Sequence, residues 1–146
     1  MTDASTRGDG ARERLMAEAA ERILISDGAF GTQIQNRKLE EKDYAGDLGL
    51  TADQKGNNDI LALTRPDVIE DITRAYFDAG SDIVATNTFS ANRISQADYN
   101  AEGKVEAINV ESARIACELA QEYVEKDGRP RFVAGAIGPT NKTLSL

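Results

Sequence analysis

Gly80-Ser81-Asp82-Ile83-Val84-Ala85-Thr86-Asn87-Thr88-Phe89 sets three apolar residues between a glycine-led turn and a polar stop. A run this short and this uniformly apolar is the pattern of a strand buried on both faces, as parallel sheets require. Just upstream, Val68, Ile72, Ala75 and Ala79 recur at three-to-four spacing and are joined by Ile69 and Tyr76, which predicts a helix. Thr64 and Asp67 read as its capping box, Pro66 occupies the first turn, where its missing N–H costs nothing, and Gly80 follows the C-cap.

The same unit recurs on either side. Ile23-Leu24-Ile25, stopped by Ser26-Asp27-Gly28, reads as an earlier buried strand behind a short helix, Ala11 to Arg22. Phe132-Val133-Ala134-Gly135-Ala136-Ile137, stopped by Gly138-Pro139-Thr140, reads as a later one. The helix before it runs from Lys104 to Lys126, with Val105, Ile108, Ser112, Ile115, Leu119 and Tyr123 along one stripe and Ala116 and Ala120 beside it. Between the first two units, Lys38 to Asn58 is a polar excursion of loop or short helices whose acids read as a solvated surface.

Helix and strand alternate, so the fold class is parallel α/β. A flavodoxin-like sheet suits the length but wants about five strands. A (β/α)8 TIM barrel takes ~250 residues, and these strand intervals match its pace. The expectation is therefore the first three βα units of a (β/α)8 barrel, incomplete in this chain, over residues 11–146, behind a flexible tail at residues 1–10.

Composition narrows the functions. Of 146 residues, 25 are Asp or Glu and 17 Lys or Arg, a net charge of −8 that disfavours binding a phosphate backbone. Aromatics at 5% and no tryptophan give no stacking platform for single-stranded nucleic acid. No apolar run approaches the ~20 residues that cross a bilayer, so neither nucleic acid nor membrane is an expected partner. There is no histidine, which removes Ser-His and Cys-His catalysis and imidazole metal sites. The lone Cys117 excludes an internal disulfide, suits a cytoplasmic location and reads as a small buried core residue. No catalytic set and no metal set is expected within this chain.

What remains is the polar end of each strand. Asp27-Gly28, Asn87-Thr88 and Gly138-Pro139 share the position that faces the ligand in parallel α/β folds. Asp27 suits a substrate ammonium, and Gly28 and Gly31 let backbone N–H groups approach a carboxylate. Taken singly, Asp27-Gly28 reads as a turn and Asn87 as a satisfied strand terminus. Three such ends in register shift the balance to function. Asp27-Gly28-Ala29-Phe30-Gly31 lacks the third glycine of a dinucleotide fingerprint, and no Gly-Lys-Ser/Thr forms a Walker loop.

Ile25-Ser26-Asp27-Gly28-Ala29-Phe30-Gly31-Thr32, with Gln33 and Gln35, closely resembles the opening of the homocysteine-binding barrel of the cobalamin-dependent methionine synthases, in the homocysteine S-methyltransferase family. The resemblance continues through Lys55-Gly56-Asn57-Asn58-Asp59 and Leu63-Thr64-Arg65-Pro66-Asp67-Val68-Ile69. It goes on through Ala75-Tyr76-Phe77-Asp78-Ala79-Gly80 and Thr86-Asn87-Thr88-Phe89 to Ala134-Gly135-Ala136-Ile137-Gly138-Pro139-Thr140. The Asn-Asn-Asp and Thr-Arg-Pro-Asp stretches favour the cobalamin-dependent enzymes over betaine- or S-methylmethionine-using relatives.

The resemblance implies a barrel that binds homocysteine and zinc, whose thiolate takes a methyl group from methylcobalamin recharged by methyltetrahydrofolate on other domains. It implies substrate contacts at Asp27, Gly28, Ala29 and Phe30, at Asn87 and Thr88, and at Gly138 and Pro139. The family's zinc-ligating cysteines lie on later strands, and Cys117 matches none of them. Zinc and cobalamin are thus expected of the complete enzyme and neither of this chain alone, which is expected to be inactive by itself. Two alternatives stand beside it: an amino-acid-binding or interaction module without catalysis, and a small doubly wound domain. An isolated partial barrel is also expected to self-associate through its barrel-facing surface.

Overall fold

The computed structural model describes residues 10–142. The tail expected at residues 1–10 therefore lies, apart from Gly10, outside the described residues. Helix α1 (Ala11–Glu21) leads to a short segment around Ser26, then α2 (Phe30–Asn36), α3 (Glu41–Ala45), a 3-10 turn (Asn58–Ile60), α4 (Leu61–Thr64) and α5 (Pro66–Asp78). Strand β1 (Ile83–Ala85) follows, then α6 (Arg93–Gln96), 3-10 turns at Ala97–Tyr99 and Glu102–Lys104, the long α7 (Val105–Asp127) and β2 (Phe132–Ala134). Among the described residues no helix is long and apolar enough to cross a membrane.

β1 and β2 pair in parallel, Val84 opposite Val133, and Ser26 bridges to Ile83 on the other side of β1. Spatial order thus follows chain order without the reversal a doubly wound sheet shows, which favours the barrel-type arrangement. α5 and α7 pack on each other and on the sheet. Val84, with no exposed surface, joins Ile72, Phe77, Ile115 and Leu119 in the core beneath them. The Phe77 and Tyr123 rings meet at 4.9 Å, and the Tyr123 hydroxyl donates to Asp78 at 2.7 Å. Gly128 closes α7 at φ 73°, a left-handed position suited to glycine.

The apolar runs are less buried than their composition predicts. Ile23 is 88% and Ile25 57% exposed, and Ile23-Leu24-Ile25 is not a ladder strand. Among the described residues the segment pairs on one side only: the Ile25 carbonyl accepts from Asp82 and Ile83, and the Asp27 N–H donates to Ile83. Past Ala134 the third run also leaves the ladder, because β1 has ended and threonine hydroxyls take over its backbone groups. Ile137 is 95% exposed. Among the described residues three full βα units are therefore not formed: there is one parallel pair plus a bridge, with Ile23, Ile25 and Ile137 left exposed.

Three further expectations are corrected. On α5 the buried arc is Val68, Ile69, Ile72, Thr73 and Phe77, whereas Ala75 and Ala79 are exposed. Thr73 can be buried because its hydroxyl donates to the Ile69 carbonyl at 2.9 Å within the helix. Thr64 and Asp67 form no capping box, because the Asp67 carboxylate accepts from the Arg65 guanidinium at 2.8 and 2.9 Å. A reciprocal box does occur between Glu40 and Asp43 at α3. Cys117 is exposed, beyond the arc of Ile108, Ser112, Ile115 and Leu119 that α7 buries.

Candidate functional site

A cavity of about 450 Å3 opens where the Ser26 segment and β1 end. That volume suits a small molecule. Asp27, Gly28, Phe30, Asn57, Asp59, Asn87, Thr88 and Tyr99 are among the residues lining it. Among the described residues, the lining contains two carboxylates and no lysine or arginine.

Asp27 leaves the bridged segment with its Oδ2 accepting the Ala85 N–H at 3.0 Å, so it ties the first strand end to the second. Gly28 follows at φ 140°, which a side chain rarely adopts, and its peptide to Ala29 is cis. Gly31 faces the cavity with nothing within 4 Å of where a Cβ would stand, so a side chain there would occupy ligand space. Ala29 is exposed and off the cavity wall; its carbonyl accepts from the Tyr76 hydroxyl at 3.2 Å.

Beyond β1, backbone and side chains knit the second strand end to the third. The Ala136 N–H donates to Thr86 Oγ1 at 3.0 Å, and Thr88 Oγ1 donates to the Ala136 carbonyl at 2.8 Å. The two hydroxyls lie 2.7 Å apart, so Thr86 must donate to Thr88 and the ring of bonds closes. Asn87 is held from both sides: its amide donates to the Asn58 carbonyl at 2.8 Å and its carbonyl accepts from Ser112 at 3.2 Å. Gly138 and Pro139 do not line the cavity, although Ala136 does. Gly138 instead donates its N–H to the Phe89 carbonyl at 2.9 Å, and a Cβ there would fall 2.5 Å from that oxygen. Its glycine serves a close backbone approach.

The polar excursion before α4 supplies the rest of the wall. The amides of Asn57 and Gln96 exchange a reciprocal pair of hydrogen bonds at 2.9 Å, and Asn57 also donates to Gln54 at 3.0 Å, all out of contact with water. Glu41 accepts the Gln54 N–H through both oxygens, and Asp43 pairs with Arg65, so these two acids are structural and not a solvated surface. Asp59 is 4% exposed and accepts the Ser90 N–H at 2.6 Å. Burial pushes its carboxyl up to about 6, against the opposing pull of the Ser90 and Phe89 N–H groups. Tyr99, across the wall, is raised by burial first, then by Asp98, Asp59 and Asp53.

Of the residues singled out from sequence, the structure brings Asp27, Gly28, Phe30, Asn87 and Thr88 to one cavity and leaves Ala29, Gly138 and Pro139 off its wall. Asp59, Asn57 and Tyr99 were not assigned a role. The signal for Asn57 and Asp59 is an Asn-Asn-Asp run in an irregular segment directly before an apolar one, where a loop would be poised over the strand ends; no such signal marks Tyr99. The residues present do not fit a zinc ion. Among the described residues no three His, Cys, Asp or Glu side chains converge, and Cys117 lies on the outer face of α7.

The family model described as homocysteine S-methyltransferase matches residues 24–146. Two solved structures of the homocysteine methyltransferase MmuM from Escherichia coli are similar in fold. The oxidized form matches at 21% identity over 80% of this chain and 37% of that one, with a TM-score of 0.62. The metallated form matches at 19% identity over 86% of this chain and 41% of that one, with a TM-score of 0.63. The chain spans about two fifths of the length of these relatives.

Proposed function

Because the chain belongs to the homocysteine S-methyltransferase family, we propose that its cavity holds the amino-acid end of homocysteine while the sulfur takes a methyl group. The observation that carries this is a small cavity at the strand ends whose wall offers two carboxylates and no cation. Such a wall suits an ammonium, with Asp27 as its anchor. The substrate carboxylate would meet the backbone N–H groups that Gly28 and Gly31 leave uncovered, and the Asn87 and Thr88 end would close over the chain. Gly138 and Pro139 act through Phe89 in this reading, and Ala29 shapes the turn. In the transfer, the homocysteine sulfur forms a bond to the methyl carbon as the bond from that carbon to its donor breaks.

The donor we propose is methylcobalamin, recharged by methyltetrahydrofolate, as in cobalamin-dependent methionine synthase, with the cytoplasm as the compartment. A cavity of this size takes an amino acid and not a corrinoid, so the donor must be presented from elsewhere. The exposed side chains of Ile23, Ile25 and Ile137 are proposed to be covered by further barrel strands, in keeping with the short span of the solved relatives that this chain matches. Left uncovered, they should drive self-association, read as concentration-dependent sedimentation.

Calorimetric titration with L-homocysteine, methionine and glutamate tests the reading. Homocysteine should bind, methionine should compete and glutamate should not, since its second carboxylate would face Asp27 and Asp59. No heat with millimolar homocysteine would overturn it. A second reading, amino-acid binding without catalysis, is favoured by the poor fit to zinc; retention of homocysteine binding by the 146-residue chain with no methionine formed and no bound zinc by elemental analysis would support it.

A further inference from the structure

Asp59 is the buried acid that neither the apolar core nor the proposed ammonium anchor requires. It forms no ion pair among the described residues, and its recorded acceptor bonds go to the backbone N–H groups of Phe89 and Ser90. That dipeptide follows directly on Asn87-Thr88. Its other groups are held as well: the Phe89 carbonyl accepts from Gly138, and the Ser90 carbonyl accepts from Gln96 at 3.2 Å. The carboxylate therefore grips one edge of a turn whose opposite edge is fixed to the third strand end.

We propose that Asp59 is a positioning residue whose ionised carboxylate clamps the Phe89–Ser90 turn and so sets Asn87 and Thr88 for homocysteine. This inference rests on the cavity being the homocysteine site. A charged acceptor binds N–H groups about twice as strongly as a neutral one, so losing the charge loosens the turn without removing any atom of the wall. The titratable groups sharing the cavity wall are Asp27 and Tyr99, and Asp98 and Asp53 act on Tyr99 from outside it. Burial has moved Asp59 into the window near pH 6. Homocysteine brings no titration there, because its thiol and amine titrate higher and its carboxyl lower.

Homocysteine affinity from pH 5 to 8, with thermal unfolding at pH 5 and pH 8, should be measured on the full chain as wild type, Asp59→Asn and Asp59→Glu. Wild-type affinity should fall as pH drops through about 6. Asp59→Asn keeps an acceptor oxygen but no charge; it should bind roughly tenfold more weakly at pH 8 and show no acid limb. It should also melt several degrees higher than wild type at pH 8, where the uncompensated charge strains the fold, and by about half as much at pH 5. Asp59→Glu should keep the limb. An Asp59→Asn protein with wild-type affinity and pH profile, or an Asp59→Glu protein without the limb, overturns the inference alone. Wild type that binds no homocysteine at any pH overturns it together with the proposed function.

Discussion

Asp82 and Asp59 stand near opposite ends of β1, 1% and 4% exposed, and their surroundings treat the same charge in opposite ways. At the amino end, Arg22 and Arg129 reach Asp82 Oδ1 at 2.9 and 3.3 Å, and the Ile25 N–H donates to Oδ2 at 3.0 Å. Burial alone would raise that carboxyl, but the Ile25 N–H and the two guanidinium groups outweigh it and hold it below the usual range. At the carboxyl end the partners of Asp59 among the described residues are backbone N–H groups, and burial prevails. The amino end is a staple binding α1, β1 and the approach to β2. The carboxyl end leaves charge without a cation, which is tolerable where a ligand brings one.

The largest expected effect tests the ligand half of this contrast. Replacing Asp27 by Ala should weaken homocysteine binding steeply, because truncating one partner of a desolvated charge pair commonly costs ~2–5 kcal/mol. Asp27→Asn separates the two roles, since it keeps an acceptor for the Ala85 N–H while removing the ammonium partner. An Asp27→Ala protein with unchanged homocysteine affinity would return Asp27 to a turn residue that merely ties the strand ends together.

The staple half predicts a loss of stability with binding intact. Asp82→Asn leaves one oxygen to accept the Ile25 N–H but takes the negative charge away from two guanidinium groups. Both arginines are partly solvated, at 34% and 51% exposure, so water can take them up. The cost of Asp82→Asn should therefore be about 2–3 kcal/mol, below the usual loss for a fully buried pair. Chemical denaturation measures it; a loss under about 0.5 kcal/mol, within the range of an ordinary surface change, would mean that the cluster holds nothing together.

The staple was harder to read in the sequence than the strand ends. Ile83-Val84-Ala85, the α7 stripe and the stops at Asp27, Asn87 and Gly138 were legible because apolar period and turn chemistry are local signals. The Arg22–Asp82–Arg129 cluster joins residues far apart in the chain, and no periodicity announces it. Asp59 lay in plain view within Asn57-Asn58-Asp59, yet its importance comes from burial, which depends on the Ser90 turn folding over it. Ile23 and Ile25 mislead for the converse reason: an apolar run states what a strand can bury against, and among the described residues one side of the segment has no paired neighbour.

Opposite pKa shifts give the two acids opposite pH signatures. Asp82 has a folded value below its unfolded one, so its contribution is present above the unfolded value and is lost as pH falls through the folded one. Asp59 has a folded value of about 6 against 3.8, so the folded state binds the proton more tightly and stability falls as pH rises between them. At pH 8 the penalty amounts to about 3 kcal/mol at most, by the conversion of a pKa difference to free energy. The stability difference between Asp59→Asn and wild type should grow from pH 4 to pH 7, and that between wild type and Asp82→Asn should shrink below pH 4. Parallel curves for the two variants would remove the contrast.

The smallest effect comes from a pair that resembles the staple in geometry and lacks its burial. Arg74 meets Glu122 across α5 and α7 with two hydrogen bonds at 2.5 and 2.8 Å, a fork as well formed as any at Asp82. Yet its side chains are 37% and 54% exposed, and water and salt compete for both. The pairing still lowers the Glu122 carboxyl, through the Arg74 hydrogen bond above all. Glu122→Gln should nonetheless shift the melting temperature by about 1 °C or less, and that shift should vanish at high salt. If it matched the loss at Asp82→Asn, geometry and not exclusion of water would govern these pairs, and the reading of Asp59 as a charge left uncompensated by burial would lose its footing.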